Sequence, residues 1–331
     1  MPPRISVAIA TMDGRRFLAP CLHALAAQTR LPDEVVVVDS ASTDGSQALL
    51  QAQFPAVCLV QLQRRPGIAA AFNACVRHTQ GDAVVLLNND TEVAPGWLAA
   101  LEAELAAQPQ AGFLASKILF MQDRRTINAV GDFYTRAGRP GNRGVWEQDH
   151  GQYDRPAWVF SAMAAAALYR RAALDDVGQF DEGLGSYCED IDWAFRAQLR
   201  GWRCRYVPAA LVYHHGSATG GGPLASYSCG RNFPLVFVKN MPPPLLRRYL
   251  GHMLLRQGRD ALETLPHLRE PAACARLRGQ AAAVGALPHY LHERRRVQRA
   301  RRVSIESINR LLSPPGKDED GEKGSGSCRK E

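Results

Sequence analysis

Residues 34–45 read EVVVVDSASTDG: four consecutive valines, closed by Asp39 and then by a run of turn-forming residues. An uninterrupted β-branched run has no polar face to turn toward water. It suits a parallel strand covered on both sides better than an antiparallel strand with one wet face. The valines therefore predict a buried strand, and the Ser-Thr-Asp-Gly cluster predicts a turn that opens a helix over 46–53. The flanking segments have the same form. Ile5, Val7 and Ile9 alternate with smaller residues up to a turn at 11–14, and Phe17, Leu18, Cys21, Leu22 and Leu25 then recur at helical spacing until Pro32. Downstream, the patterns predict strands at 57–62, 83–87 and 113–120 and helices at 67–79 and 97–108. This βαβαβαβ order predicts an α/β fold with a mostly parallel central sheet flanked by helices and with ligands at the carboxyl ends of the strands.

Polar residues fall on that rim. Thr11, Asp13, Asp39 and Asp90 each follow the end of a predicted strand. An acid after a strand is often only a helix cap or turn residue, a reading with about even weight for Asp13 and Asp44. It is weaker for Asp39 and Asp90, two acids closing two apolar strands on one rim. A Rossmann dinucleotide site is excluded, since the first turn reads ATMDGR with a single glycine where G-x-G-x-x-G is needed. No G-x-x-x-x-G-K-[ST] loop occurs either. Phosphates on this rim would need another counter-charge, and a divalent metal on a carboxylate supplies it.

The 331 residues allow one large domain, or one domain with an appendage. At 46% hydrophobic and 22% charged the composition is that of a soluble globular protein. The net charge of +8 suits an acidic partner, and residues 245–302 carry much of the Arg excess. The eight cysteines form no CxxC pair. With no charged-then-apolar leader in the sequence, they predict reduced thiols and a cytoplasmic protein. No apolar run reaches the length of a membrane span.

Five segments together carry a family resemblance: 5–13 (ISVAIATMD), 34–45, 81–91 (GDAVVLLNNDT), 178–192 (GQFDEGLGSYCEDID) and 206–215 (YVPAALVYHH). In this order and spacing the chain resembles glycosyltransferase family 2 with the GT-A nucleotide-diphospho-sugar transferase fold, in its bacterial rhamnosyltransferase-like branch. The likeness covers roughly residues 4–240.

The resemblance implies roles for individual positions. Thr11 and Asp13 would border the nucleotide pocket, Asp39 would hydrogen-bond the base, and the segment from Gly67 to Asn73 would flank the nucleotide. Asn88, Asn89 and Asp90 stand where the family has its D-x-D motif. Asp90 would be the carboxylate on Mn²⁺ or Mg²⁺, with Asn88 replacing the first acid. One carboxylate and one amide hold a hard cation less tightly than two carboxylates, so the donor diphosphate and His214 would complete the coordination. Asp190 matches the base that takes the proton from the acceptor hydroxyl. Glu189 would orient that base or contact the sugar. The competing reading of these acids is that they complement the dipole of a helix over 191–200, and it weighs more for Asp192. Within 161–171 (SAMAAAALYRR), Ala164 stands where relatives usually have glycine, which implies a narrower acceptor region. Arg231, in a stretch resembling the family's Y-x-x-R-N helix start, would contact phosphate or acceptor.

The expected organisation is a catalytic domain over 1–240, with a nucleotide-sugar half (1–120) and an acceptor half (121–240). A basic helical extension follows over 241–312, with helices at 245–255, 272–287 and 290–312, and then a disordered tail over 313–331. The Gly-rich stretch 216–231 reads either as a lid over the donor or as a plain connection. The basic helices read most simply as packed helices with solvated Arg faces. Their sharper reading is peripheral contact with anionic phospholipid on the inner face of the cytoplasmic membrane. No nucleic-acid module accompanies them.

These expectations combine into an inverting, metal-assisted transfer of a sugar, with rhamnose suggested by the branch, from a nucleotide-diphosphate donor to a cell-surface glycan or lipid-linked acceptor. Two alternatives remain: a nucleotidyltransferase, which lacks here its Gly-rich, Lys-bearing loop, and a non-catalytic nucleotide-sugar-binding protein, against which the presence of both Asp90 and Asp190 weighs.

Overall fold

A computed structural model describes residues 2–216 and 222–315. Its first half follows the predicted alternation: β1 (Ile5–Thr11), α1 (Arg15–Ala26), β2 (Glu34–Ser40), α2 (Ser46–Gln53), β3 (Cys58–Leu62), α3 (Ile68–Arg77) and β4 (Ala83–Asn88). β1 lies between β2 and β4, with β3 outside β2, all parallel. Val36, Val37 and Val38 are fully buried, as a strand covered on both faces requires. In register, Thr11 stands beside Asp39 and Ala10 beside Asn88, so three strand ends share one rim.

The second half is mixed. After β5 (Thr91–Val93), α4 (Trp97–Ala107) and β6 (Ala111–Phe120), the chain makes the short strands β7 (Ile127–Ala129), β8 (Asp132–Tyr134), β9 (Pro140–Asn142) and β10 (Ala157–Val159). Then come β11 (Ala166–Arg170), α5 (Arg171–Val177), α6 (Glu189–Arg200) and β12 (Arg203–His214). β11 inserts antiparallel between β4 and β6, giving the order β10-β12-β6-β11-β4-β1-β2-β3. Two hydrophobic layers cover the sheet, one including Phe72, Trp193 and Tyr206, the other Leu22, Trp97 and Leu101.

The C-terminal helices are α7 (Gly222–Asn240), α8 (Pro243–Thr264), α9 (Pro271–Arg299) and α10 (Ile305–Leu311). They share a third core with the second half of the sheet domain, in which Phe160, Ile191 and Phe195 pack with Phe237, Tyr249, Tyr290 and Ile308. The expected break near 288 is absent: α9 runs through Pro288 and ends at Arg299. Packing overrides the local cost of proline here. Gly279 and Gly230 let α9 and α7 touch backbone to backbone, since a Cβ at Gly279 would sit 2.1 Å from the Tyr227 carbonyl oxygen. Within the Gly-rich stretch, residues 217–221 lie outside the described residues, but Gly222 onward is helical, so Arg231 sits inside α7 rather than at a helix start. The tail expected from 313 begins with paired backbone, Ser313 donating to the Tyr134 carbonyl at 2.9 Å and accepting from Arg136 at 3.0 Å. The rest of that expectation, from 316, lies outside the described residues.

Candidate active site

The turn after β4 is fixed from three sides. Asn89 donates from Nδ2 to Thr11 Oγ1 at 2.8 Å, and both side chains are buried. Gly14 closes over them: a Cβ there would lie 1.9 Å from Asn89 Nδ2. Thr91 Oγ1 donates to the Asn88 carbonyl at 2.7 Å. Asp90 thus leaves the sheet in a set direction, and β5 pairs with β12 so that Thr91 stands opposite His214.

That pairing brings Asp90 and His214 together, with Asp90 Oδ1 3.3 Å from His214 Nε2 and both residues buried. His214 Nδ1 lies 2.8 Å from Asn128 Oδ1. An amide oxygen only accepts, so Nδ1 carries a proton and donates to it, which turns Nε2 toward the carboxylate. An imidazole nitrogen and a carboxylate oxygen set side by side are a donor pair that suits a divalent ion. Among the described residues no third His, Cys, Asp or Glu completes a cluster. Nothing in the spacing of residues 126–131 singled out Asn128; only the β6–β7 pairing brings it to His214.

At the other end of the rim, Asp39 accepts from the Ser42 amide and from Gln47 Nε2, each at 2.9 Å, through Oδ1. Its Oδ2 is buried without a partner in the described structure. This is a rigid carboxylate with one free acceptor, suited to a ligand N–H donor. Asp13, at φ 49°, accepts from the Thr43 amide at 2.8 Å and pairs with Arg65 at 2.7 Å. Asp44 accepts from the Ser46 amide and hydroxyl, which is the turn role, one of the two readings its sequence position left open.

The acids that open α6 follow two consecutive non-glycine residues in the left-handed region, Tyr187 (φ 68°) and Cys188 (φ 69°). Such backbone persists only where surroundings impose it. Asn232 imposes it here, donating from Nδ2 to the carbonyls of Leu184 at 3.0 Å and Tyr187 at 2.8 Å. α6 then begins at Glu189, two residues earlier than expected. Asp190 accepts from the Ile191 amide at 2.8 Å and from the Ala164 amide at 3.3 Å. Burial pushes its carboxyl above the usual range, against those two hydrogen bonds. Glu189 goes well above it, through burial and then the Asp190 charge, and its Oε2 is buried without a partner in the described structure.

A third carboxyl that no sequence pattern marked, Asp132 on β8, joins them. It is buried, its Oδ1 has no partner in the described structure, and burial followed by the charge of Asp190 raises it well above the usual carboxylate range. Asp192 differs. Burial would raise it, but Lys239, Arg196 and the Asn240 amide bring it down to about 2. It is a structural anchor, with Lys239 Nζ, Arg196 Nε and Asn240 Nδ2 within 2.8–2.9 Å.

Three other predicted residues serve the protein itself. Asn73 is buried and donates to the Phe180 carbonyl and Glu182, while its Oδ1 accepts from the Phe180 amide. Both amide hydrogens are thereby committed internally. Arg231 donates to the Gly183 carbonyl at 2.9 Å. Gly67 lies beneath the same loop, where a Cβ would stand 2.7 Å from the Gly185 carbonyl carbon. Asn73, Gly67 and Arg231 together hold residues 180–187 in front of α6.

A mixed sheet with a nucleotide-type rim, a buried carboxylate–imidazole pair and facing acids defines a glycosyltransferase of the GT-A fold. The Glycosyl transferase family 2 model matches residues 6–178, more than half of the chain, and the protein belongs to that family. The chain is similar to N-acetylglucosaminyl-diphospho-decaprenol L-rhamnosyltransferase of Mycobacterium tuberculosis, 29% identical over 235 residues, 64% of this chain and 75% of that protein. Among solved structures it resembles mannosyltransferase PcManGT from Pyrobaculum calidifontis in complex with GDP-Man and Mn²⁺ (TM-score 0.54, 21% identity, 91% of this chain, 86% of that chain). It also resembles GalNAc-T7 with UDP, GalNAc and Mn²⁺ (TM-score 0.59, 16% identity, 72% of this chain), and spans 48% of that chain.

Proposed function

We propose that the protein catalyses an inverting transfer from a nucleoside diphosphate sugar to an acceptor hydroxyl in one displacement. The acceptor oxygen forms its bond to the anomeric carbon as the bond to the diphosphate breaks. The hydroxyl proton passes to Asp190, and the nucleoside diphosphate leaves. Asp39 holds the base through its free oxygen, with Thr11 and Asp13 alongside. Asp90 and His214 would hold a divalent ion, Mn²⁺ or Mg²⁺, which would supply positive charge beside the donor diphosphate.

The observation that carries this reading is the stretch of Ala164 and Ala165. The Ala165 carbonyl accepts from the Asn88 amide at 2.9 Å, and the Ala164 amide donates to Asp190 at 3.3 Å. The two-residue stretch Ala164–Ala165 thus ties the leaving-group side to the base. A carboxylate whose proton affinity burial raises, and which two amides aim, fits the role of proton acceptor.

The mycobacterial relative, whose name specifies rhamnose and a diphospho-decaprenol acceptor, supports rhamnose as donor sugar and a lipid-linked acceptor of the cell envelope. Among the described residues no helix is long and apolar enough to cross a membrane. Peripheral contact with an anionic bilayer finds support on α8, where Leu254, Leu255 and Leu262 are exposed beside Arg247 and Arg248. In the cluster at 294–302, Arg294 donates to the Val238 carbonyl and Arg302 pairs with Asp176, while Arg295, Arg296 and Arg299 are exposed.

The test is nucleoside diphosphate release from a panel of nucleotide sugars with Mn²⁺ and lipid-linked acceptor. Asp190→Asn is expected to slow transfer roughly 10²–10⁴-fold. Transfer at the wild-type rate would remove Asp190 from this role.

A further inference from the structure

Trp146 is half exposed, at 51%, although it is among the largest apolar side chains of the protein. Its backbone is at φ 67°, the left-handed region that a bulky residue avoids. Neither feature has an account in the packing of a hydrophobic core.

The surrounding loop is firmly fastened. The Trp146 amide donates to the Ile127 carbonyl, and the Ile127 amide donates to the Glu147 carbonyl, each at 2.9 Å. Lys117, largely buried, reaches Asp149 at 2.6 Å and Asp154 at 2.7 Å. The indole itself lies against Phe120, ring centroids 4.4 Å apart and planes 16° from parallel. On Phe120, Gly216 comes close enough that a Cβ would stand 3.2 Å from the ring. Among the described residues no other ring stacks on Trp146, so one indole face is backed and the side chain still leaves half its surface to solvent.

Its position gives the exposed face a purpose. Phe120 is paired in register with His214, which faces Asp90. In the strand order, β6 and β12 lie on the opposite side of β4 from β1 and β2, which carry Thr11 and Asp39. A donor laid from Asp39 to Asp90 therefore directs its sugar end, and the acceptor it meets, toward the Phe120–Trp146 side.

We propose that Trp146 is a stacking platform for a pyranose ring at the transfer end of the site. The C–H-rich face of a sugar buries apolar area on an indole, and the left-handed backbone keeps the indole turned outward in advance. This rests on the transferase reading above, and the shared chemistry leaves two sources for the ring: the donor sugar or the acceptor sugar.

The experiment uses the full chain with Trp146→Leu, which keeps apolar bulk but removes the π face, and Trp146→Tyr, which restores one. Saturation-transfer NMR is recorded with dTDP-rhamnose, UDP-GlcNAc and octyl β-N-acetylglucosaminide, beside steady-state kinetics. An acceptor platform predicts that Trp146→Leu raises the acceptor KM roughly tenfold or more with the donor KM unmoved, and that tyrosine recovers much of it. A donor platform predicts the reverse split, with the donor's sugar protons losing saturation while its base protons keep theirs. If neither KM nor any sugar signal differs between wild type and Trp146→Leu, the proposal is overturned. Should Trp146→Leu not fold, Trp146→Gly serves, because glycine accepts this φ. The NMR arm needs no turnover, so loss of the transfer reading and loss of the platform are separately visible.

Discussion

Replacing Lys239 by methionine removes the ammonium that ties α7 to the helix carrying Asp190. Lys239 is 1% exposed, with its Nζ 2.9 Å from Asp192, which is itself fully buried. Breaking a buried pair by removing one partner costs about 3–5 kcal/mol, because the remaining charge is left in low dielectric. Asp192 keeps Arg196 at 2.9 Å and Asn240 at 2.8 Å, so the lower end, about 3 kcal/mol, is expected at pH 7. For a chain of this size that is a fall of about 4 °C in the unfolding midpoint. The pH dependence has a definite sign. The folded Asp192 carboxyl is depressed from 3.8 to about 2, outweighing the burial that raises it. Its stabilisation, about 2 kcal/mol, is therefore present above the unfolded value and lost as pH falls from 3.8 toward 2. The gap between wild type and Lys239→Met should narrow over that window. Thermal unfolding followed by circular dichroism at pH 7 and pH 3 reads both numbers. A midpoint within 1 °C of wild type at pH 7 (about 0.7 kcal/mol), or a gap that does not narrow in acid, would refute the reasoning.

Asn128→Ala removes the acceptor that orients His214, and the Mn²⁺ concentration for half-maximal activity should rise about 10–100-fold; an unchanged metal titration would count against the pair as ligands. Gly67→Ala sets a Cβ 2.7 Å from the Gly185 backbone, so residues 180–187 must shift, and the expected result is lower kcat together with faster proteolysis of that loop. Asp132→Asn should stabilise the fold. Its folded carboxyl is raised well above 3.8, so the unfolded chain loses this proton first and wild-type stability declines as pH rises from the unfolded value toward the folded one. The advantage of the amide in thermal unfolding should thus grow as pH rises above the unfolded value (about 3.8), and an advantage independent of pH would show that the folded carboxyl is not raised.

Much of the nucleotide half was legible in the chain. Valines 35–38 have one stable environment, a doubly covered strand, and the acids at their ends had to emerge on the rim. Local pattern also carried α2 to the residue, Ser46–Gln53. What periodicity could not carry were the insertion of β11 between β4 and β6, the unbroken course of α9 through Pro288, and the use of Asn73 and Arg231 to hold residues 180–187. Each depends on partners far away in sequence, and residue order carries no record of long-range distance. Asp90 was readable because a strand end and a turn are local events. Whether it meets His214, with Asn128 behind that imidazole and Asp132 beside Asp190, was decided only when the antiparallel pairings of the second half closed the sheet.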